Sequence, residues 1–239
     1  MAMPAAIQRI KGYEAIRDVA IRMLNRARQP KWYGHKIAAD YLARHRPAKL
    51  HIGCGTNPLD GWLNTEYSAL VPPGALYLDA TRPFPLPSAS FDLIFSEHMI
   101  EHVRLDGAVS MLGECQRVLK AGGRIRIATP RLEFMVELLT DPSDAHRRYA
   151  DLHYEGLVDE PTVRTPARIV NDYHRMWGHC FVYDEPTLRL LVERAGFVNV
   201  QVEAVNESGD PRFRNIENAG RMAEGMLALT TLVLEADKP

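Results

Sequence analysis

Lys49-Leu50-His51-Ile52-Gly53-Cys54-Gly55-Thr56-Asn57 is the stretch that decides the fold. A short apolar run ends abruptly in two glycines one residue apart. A strand entering such a turn brings bare backbone close to a ligand, where a Cβ would obstruct and where positive φ is needed. Two acids follow at the ends of later strand-like runs. Glu66 comes after Trp62-Leu63-Asn64-Thr65, and Asp79 after Ala75-Leu76-Tyr77-Leu78. A glycine turn with acids at successive strand ends suits an open α/β sheet that holds a nucleoside. The ordered set says more than the glycine pair alone.

Working outward, residues 5–28 read as an amphipathic helix, with Ile7, Ile10, Tyr13, Ile16, Ala20, Met23 and Leu24 on its apolar face. A second helix is expected over 35–45, before Pro47. Strands are expected at 50–52, 62–66, 76–78 and 91–95, with Asp92 at the start of the last. Residues 108–119 read as a helix with Val109, Leu112, Cys115, Val118 and Leu119 on one face, ended by Gly122-Gly123. A fifth strand at 124–128 alternates Ile125 and Ile127 with Arg126. A helix at 186–195 and strands at 198–205 and 230–234 complete the series. Strands alternating with helices predict an α/β fold with a doubly wound, mostly parallel sheet of seven strands.

Residues 131–184 break the alternation and are dense in His and aromatic side chains: His146, His153, His174, His179, Tyr149, Tyr154, Tyr173, Trp177 and Tyr183. A helical insertion here falls on the carboxyl edge of the sheet, where ligands bind. We expect one domain over 1–239. Its parts are N-terminal helices (1–47), a cofactor-binding core (48–130), a substrate-side insertion (131–184) and a C-terminal helix and strands (185–239).

The 239 residues are 46% hydrophobic and 25% charged, as in an ordinary globular protein. No apolar run reaches the ~20 residues of a membrane span, and no signal peptide is visible. Cys54, Cys115 and Cys180 are odd in number and far apart, which predicts neither a disulfide framework nor a zinc spacing and fits a cytoplasmic protein. Residues 1–46 carry +7 against −8 for the remainder. The solvated face of the first helix accounts for this charge, with weak membrane-surface contact as the alternative. No nucleic-acid groove is visible.

The motifs resemble those of the class I S-adenosylmethionine-dependent methyltransferases, in particular the type 11-like bacterial group. Residues 51–55 (HIGCG) look like the glycine motif, and 77–80 (YLDA) the strand that ends at the adenine. Residues 90–103 (SFDLIFSEHMIEHV) are similar to the fourth strand and its turn. Residues 117–130 (RVLKAGGRIRIATP) and 183–200 (YDEPTLRLLVERAGFVNV) are similar to the later helix–strand units. The resemblance implies a Rossmann-like fold and S-adenosyl-L-methionine as cofactor. It puts Gly53, Cys54 and Gly55 against the methionine and ribose part, and Glu66 on the ribose hydroxyls. Asp79 and Ala80 would border the adenine, with Ser96 and Glu97 near the transferred methyl. There are departures: His51 stands where the family usually has an acid, Asn57 where a third glycine is common, and Trp62 arrives early. The shortened form, Gly-Cys-Gly then Gly-Trp-Leu-Asn, occurs in family members encoded beside glycan-building genes. The implied acceptor is a small molecule: a sugar, nucleotide-sugar or lipid-linked glycan hydroxyl or amine.

His98 and His174 are the candidate catalytic bases, with His179 a rival. If residues 98–102 were helical, His98 and His102 would share a face, which is half of a metal site; no metal is expected. Two other classes compete. An NAD-dependent oxidoreductase would want the fuller Gly-x-Gly-x-x-Gly, and Pro58 argues against it. A non-catalytic cofactor-binding partner subunit would use the basic N-terminal helix for docking. Oligomeric state is not readable.

Overall fold

A computed structural model describes residues 19–21, 23–24, 29, 31–68, 72–156 and 162–239. The helix expected over 5–28 therefore lies almost wholly outside the described residues. The described chain forms a seven-stranded sheet in the order β3-β2-β1-β4-β5-β7-β6. Its strands are β1 (Lys49–Ile52), β2 (Leu63–Glu66), β3 (Leu76–Tyr77), β4 (Phe91–Glu97), β5 (Leu119–Pro130), β6 (Val198–Glu203) and β7 (Thr231–Asp237). The first five run parallel, and β7 is antiparallel to both β5 and β6. The sheet is thus mostly parallel, as the alternation predicts.

Parallel strands buried on both faces need apolar residues throughout. Leu50 and Ile52 of β1 pair with Leu63 and Thr65 of β2 and with Ile94 and Ser96 of β4. The larger core lies against helices α1 (Lys31–Arg44) and α2 (Leu105–Val118) and a later helix over Glu185–Arg194. α2 buries Ala108, Met111, Leu112, Cys115 and Val118 at helical spacing. It starts three residues before its expected position; Leu112, Cys115 and Val118 face the core as expected, whereas Val109, at the edge of that face, is exposed and Met111 is buried. Gly122-Gly123 does not cap α2, which ends at Val118. The pair instead sits where β5 swells away from β4, between the pairings Phe91↔Leu119 and Leu93↔Arg124. Gly122 has φ +71°, and a Cβ on Gly123 would stand 3.1 Å from Asp92 O.

The insertion comprises α3 (Leu132–Thr140), α4 (Asp144–Glu155) and α5 (Pro166–Arg175), followed by α6 (Glu185–Arg194). Phe134, Leu138, Tyr149, Ile169, Tyr173 and Met226 form a core of their own. Met226 belongs to the short α7 (Met226–Thr230) that leads into β7.

Two buried polar groups tie the sheet together. Arg126 of β5 is fully buried, although its place between Ile125 and Ile127 suggests a solvent-facing position. The 204–217 segment covers that face. The guanidinium donates to Glu217 Oε1 at 2.5 Å, Glu235 Oε1 at 2.5 Å, Glu207 O at 2.8 Å and Ala204 O at 3.1 Å. Glu235 is the cross-strand partner of Arg126 on β7. His51 is also buried, stacked on Phe95 with ring centroids 5.2 Å apart. The Asn64 amide is fixed in orientation, because it accepts from Leu59 N and donates to Leu59 O. Asn64 Oδ1 therefore accepts from His51 Nδ1 at 3.0 Å. The odd residue of the glycine motif thus packs and also orients the 57–62 turn.

Arg126→Met leaves two buried carboxylates without their cation and should cost about 3–5 kcal/mol in urea unfolding, the scale for breaking a buried ion pair. Adding Glu217→Gln should recover part of that loss. Burial pushes the His51 pKa down to about 4, against the upward pull of Asn64 and Glu66. The unfolded chain then binds a proton below pH ~6.5 that the folded chain refuses until about pH 4. His51 therefore costs stability as pH falls through that window, up to ~3 kcal/mol. Urea unfolding of His51→Gln should show a shallower loss between pH 7 and pH 4.5 than the parent.

Candidate active site

The carboxyl ends of β1, β2, β4 and β5 meet along one edge of the sheet. The turn after β1 places Gly53 at φ +72° and Gly55 at φ +51°, both in the left-handed region. Gly53 has no room for a side chain, since a Cβ would lie 2.3 Å from Met99 Cγ. Gly55 is the opposite case: nothing lies within 4 Å of where its Cβ would be, so its backbone borders open space. Glu66, at the end of β2, accepts from Gly55 N at 2.8 Å with one oxygen and from Tyr67 N and Ser68 N at 2.7 Å with the other. The glycine turn and the first strand-end acid are therefore in direct contact. Cys54 between the glycines is buried, and burial pushes its thiol up to about 11, with the Glu66 charge adding to the effect. It stays a thiol at neutral pH and has no nucleophilic character.

Asp79 follows β3 and turns back on its own loop, accepting from Thr81 N at 3.1 Å and Thr81 Oγ1 at 2.6 Å. Arg82 Nε stands 3.2 Å from its other oxygen. Ala80 is buried beside it. Asp79 also lines a hollow of about 380 Å³ with Gly34, His35 and Tyr77.

At the end of β4, Ser96 is fully buried and its Oγ has no hydrogen-bond partner. Glu97 points to the opposite face, where Oε1 accepts from Asn218 N at 2.9 Å. Burial raises the Glu97 pKa, against the downward pull of that amide, Arg221 and His98. His98 then takes φ +47°, a strained conformation for a non-glycine residue, and Ile100–His102 forms a single 3₁₀ turn. His98 and His102 therefore do not share a helix face, as a helical 98–102 would require. Both instead approach Glu101. His98 Nδ1 lies 3.4 Å and His102 Nε2 3.8 Å from Glu101 Oε1.

Glu101 has no exposed surface. Its Oε2 accepts from Thr129 Oγ1 at 3.1 Å, and its backbone carbonyl accepts from Cys180 N at 2.6 Å and Phe181 N at 3.2 Å. Burial by itself would push its carboxyl up. The neighbouring histidines outweigh that and hold it below its usual value. The two amides clamp the end of the insertion onto the turn after β4. They bring in His179, whose Nδ1 lies 2.6 Å from Tyr173 O.

These groups border a cavity of about 310 Å³, lined by His98, Glu101, His102, Tyr149, Tyr173, Trp177, His179, Arg221 and Met222. The insertion supplies a wall of this cavity and is a packed unit as well. His174 is exposed on α5, whereas Tyr173 and His179 reach the cavity. Glu101 and Arg221 had no assigned role in the sequence reading. An acid set between Ile100 and His102 was a signal for the first; nothing local marks the second, which the 217–222 segment carries in from the far side of the sheet. No disulfide forms among the three cysteines, and no helix among the described residues is long and apolar enough to cross a membrane.

Residues 71–127 match the methyltransferase domain model of type 11. The match takes in β3, β4, α2 and most of β5; the glycine turn and Glu66 precede it. A search of the curated proteins finds no match. Among solved structures, the chain is similar to a SAM-dependent methyltransferase from Thermotoga maritima, a possible histamine N-methyltransferase. Identity is 17%, coverage 91% of this chain and 92% of that one, and the TM-score 0.50. It is also similar to a SAM-dependent methyltransferase from Archaeoglobus fulgidus, at 15% identity, 88% and 96% coverage and a TM-score of 0.45. A third is geranyl diphosphate C-methyltransferase from Streptomyces coelicolor A3(2), in complex with Mg2+, geranyl diphosphate and S-adenosyl-L-homocysteine. There the values are 13%, 86% and 77% coverage, and a TM-score of 0.45. Residues 71–127 thus resemble a methyltransferase domain, and the chain shares its fold with a solved SAM-dependent methyltransferase.

Proposed function

We propose that this enzyme methylates a hydroxyl or amine of a small polar acceptor, a sugar, nucleotide-sugar or lipid-linked glycan, held in the His98–Tyr173–Arg221 cavity. The observation that carries this reading is the lining of that cavity: aromatic faces, three imidazoles and one guanidinium around about 310 Å³. Aromatic faces offer apolar contact to a ring, while imidazole and guanidinium groups orient hydroxyls or phosphates. The volume suits one sugar-sized group.

The residues present also fit the cofactor. The open space at Gly55 lets a ligand approach bare backbone, and the Glu66 carboxylate beside it, with its Oε1 taken by two amides and Oε2 by one, has one lone pair left on Oε2 to accept from a ribose hydroxyl. Asp79 and Ala80 would flank the adenine. Ser96, whose buried hydroxyl lacks a partner, and Glu97 would border the methyl end. Bound S-adenosylmethionine supplies an electrophilic methyl on a sulfonium, so the protein's main task is to hold the acceptor in line. His98 would receive the acceptor's proton at Nε2, in place of its 3.3 Å contact with Thr231 Oγ1. Its Nδ1 faces the ionised Glu101, which orients the ring and stabilises the imidazolium. The strained φ of His98 is consistent with a side chain held in place for such a role.

Glu66→Gln should weaken S-adenosylhomocysteine binding in calorimetry by about 1.5–3 kcal/mol, the scale for a hydrogen bond to a charged group. Unchanged affinity would remove Glu66 from the cofactor site. A screen of sugars, nucleotide-sugars and small amines, read as S-adenosylhomocysteine released, should find turnover with the glycan-like acceptors. With a productive acceptor, His98→Asn, which tolerates positive φ, should lower turnover by about 10²–10⁴-fold. Retained turnover in that variant would exclude His98 as the base.

A further inference from the structure

We propose that Glu101, His102 and His179 form a site for a divalent transition-metal ion at the wall of the acceptor cavity. Each offers one ligand atom, and these atoms lie within 4.8 Å of one another; no other such group of three occurs among the described residues. An ion bound ~2.0–2.2 Å from each atom in tetrahedral geometry needs pairs ~3.3–3.6 Å apart. The widest pair therefore has to close by a little over an ångström. His102 Nε2 and Glu101 Oε1, at 3.8 Å, have to close by only a few tenths of an ångström.

Glu101 is the residue that points to a missing ligand. It is fully buried, and its Oε1 makes no hydrogen bond. Its nearest donors, His98 Nδ1 at 3.4 Å and His102 Nε2 at 3.8 Å, stand beyond good hydrogen-bond distance, and a bound cation would satisfy this buried oxygen. Its other oxygen is held by Thr129 Oγ1, so Oε1 is aimed toward the two imidazoles. His179 is prepared in the way metal-binding histidines usually are. Its Nδ1 donates to Tyr173 O at 2.6 Å, which fixes the tautomer and leaves the Nε2 lone pair free. The Cys180 and Phe181 amides, both bound to Glu101 O, hold the two segments in register.

Two imidazoles and one carboxylate are a donor set for zinc or another first-row divalent ion, with coordination positions left for an outside oxygen. The nearest other groups are an imidazole and a guanidinium whose charge is set against a carboxylate. His98 Nδ1 faces the same Glu101 oxygen, and Arg221, across the cavity, stands 3.9 Å from Glu97 Oε1. On the acceptor reading above, an ion here would hold and polarise an acceptor oxygen; the binding itself does not rest on that reading. This site departs from the expectation, drawn from the sequence, that no metal is used.

The test is calorimetry of chelator-treated protein with zinc chloride at neutral pH, repeated with manganese and cobalt(II). One zinc per chain is expected. His102→Ala and His179→Ala should each weaken it at least ~10-fold, the smallest loss usual even for outer-shell changes. His102 is partly exposed, so its variant should fold even where Glu101→Gln does not. Calorimetry with S-adenosylhomocysteine on the same samples reports the cofactor site separately. The proposal fails if none of the three ions binds at one per chain. It also fails if both histidine variants bind zinc as tightly as the parent, whatever the cofactor result.

Discussion

A carboxylate with no exposed surface must be compensated, and the active-site edge is arranged around how Glu101 meets that requirement. Its side chain takes a hydrogen bond from Thr129 at the end of β5 and faces the imidazoles of His98 and His102. Its carbonyl takes two more bonds from Cys180 and Phe181. Four stretches of chain are thereby fixed relative to one another: the end of β4, its 3₁₀ turn, the end of β5 and the exit of the insertion. Neutralising the carboxyl would weaken its contacts with Thr129 and the two histidines, while the carbonyl bonds to Cys180 and Phe181 do not depend on its charge. The neighbouring histidines outweigh the burial penalty and hold the Glu101 carboxyl below its usual range.

The same logic operates one layer away at Arg126. A parallel sheet flanked by an antiparallel β7 needs something to hold the long 204–217 crossing against its face. The guanidinium does so by reaching Glu217, Glu207 and Ala204 on the crossing and Glu235 on β7. The crossing then delivers Asn218 to Glu97 and Arg221 to the cavity. Sheet stability and the lining of the cavity are thus coupled through a buried ion cluster rather than through apolar packing alone.

Much of the sheet was legible because parallel strands require uninterrupted apolar runs and tight turns require glycine. The strands 49–52, 63–66 and 91–97 fall where the apolar runs lie, and the contact between Gly55 and Glu66 joins two residues that were paired on sequence grounds. Where the reading slipped, a tertiary contact outweighed a local rule. Gly122-Gly123 looked like a helix stop, yet the pair makes room for β5 to swell beside Asp92 O. Val109 looked like a core position, yet it lies at the edge of the face that Leu112 and Cys115 define and is exposed, while Met111 is buried. His98 and His102 looked like neighbours on a helix, yet the backbone leaves helical geometry at His98 and both rings converge on Glu101.

By itself the sequence determined the α/β class, the order of strand and turn and the place of the insertion. Each of these follows from periodicity and from residues close in the chain, together with a resemblance carried by short motifs. Only the tertiary structure decided which of nine histidines meet one another and which acid they meet, and whether Arg126 is exposed or buried. Those outcomes depend on segments brought together across the sheet, His98 with Thr231 and His179 with Glu101. Local pattern carries no information about such distances, because they are set by how the insertion and the 204–222 crossing close over the carboxyl edge.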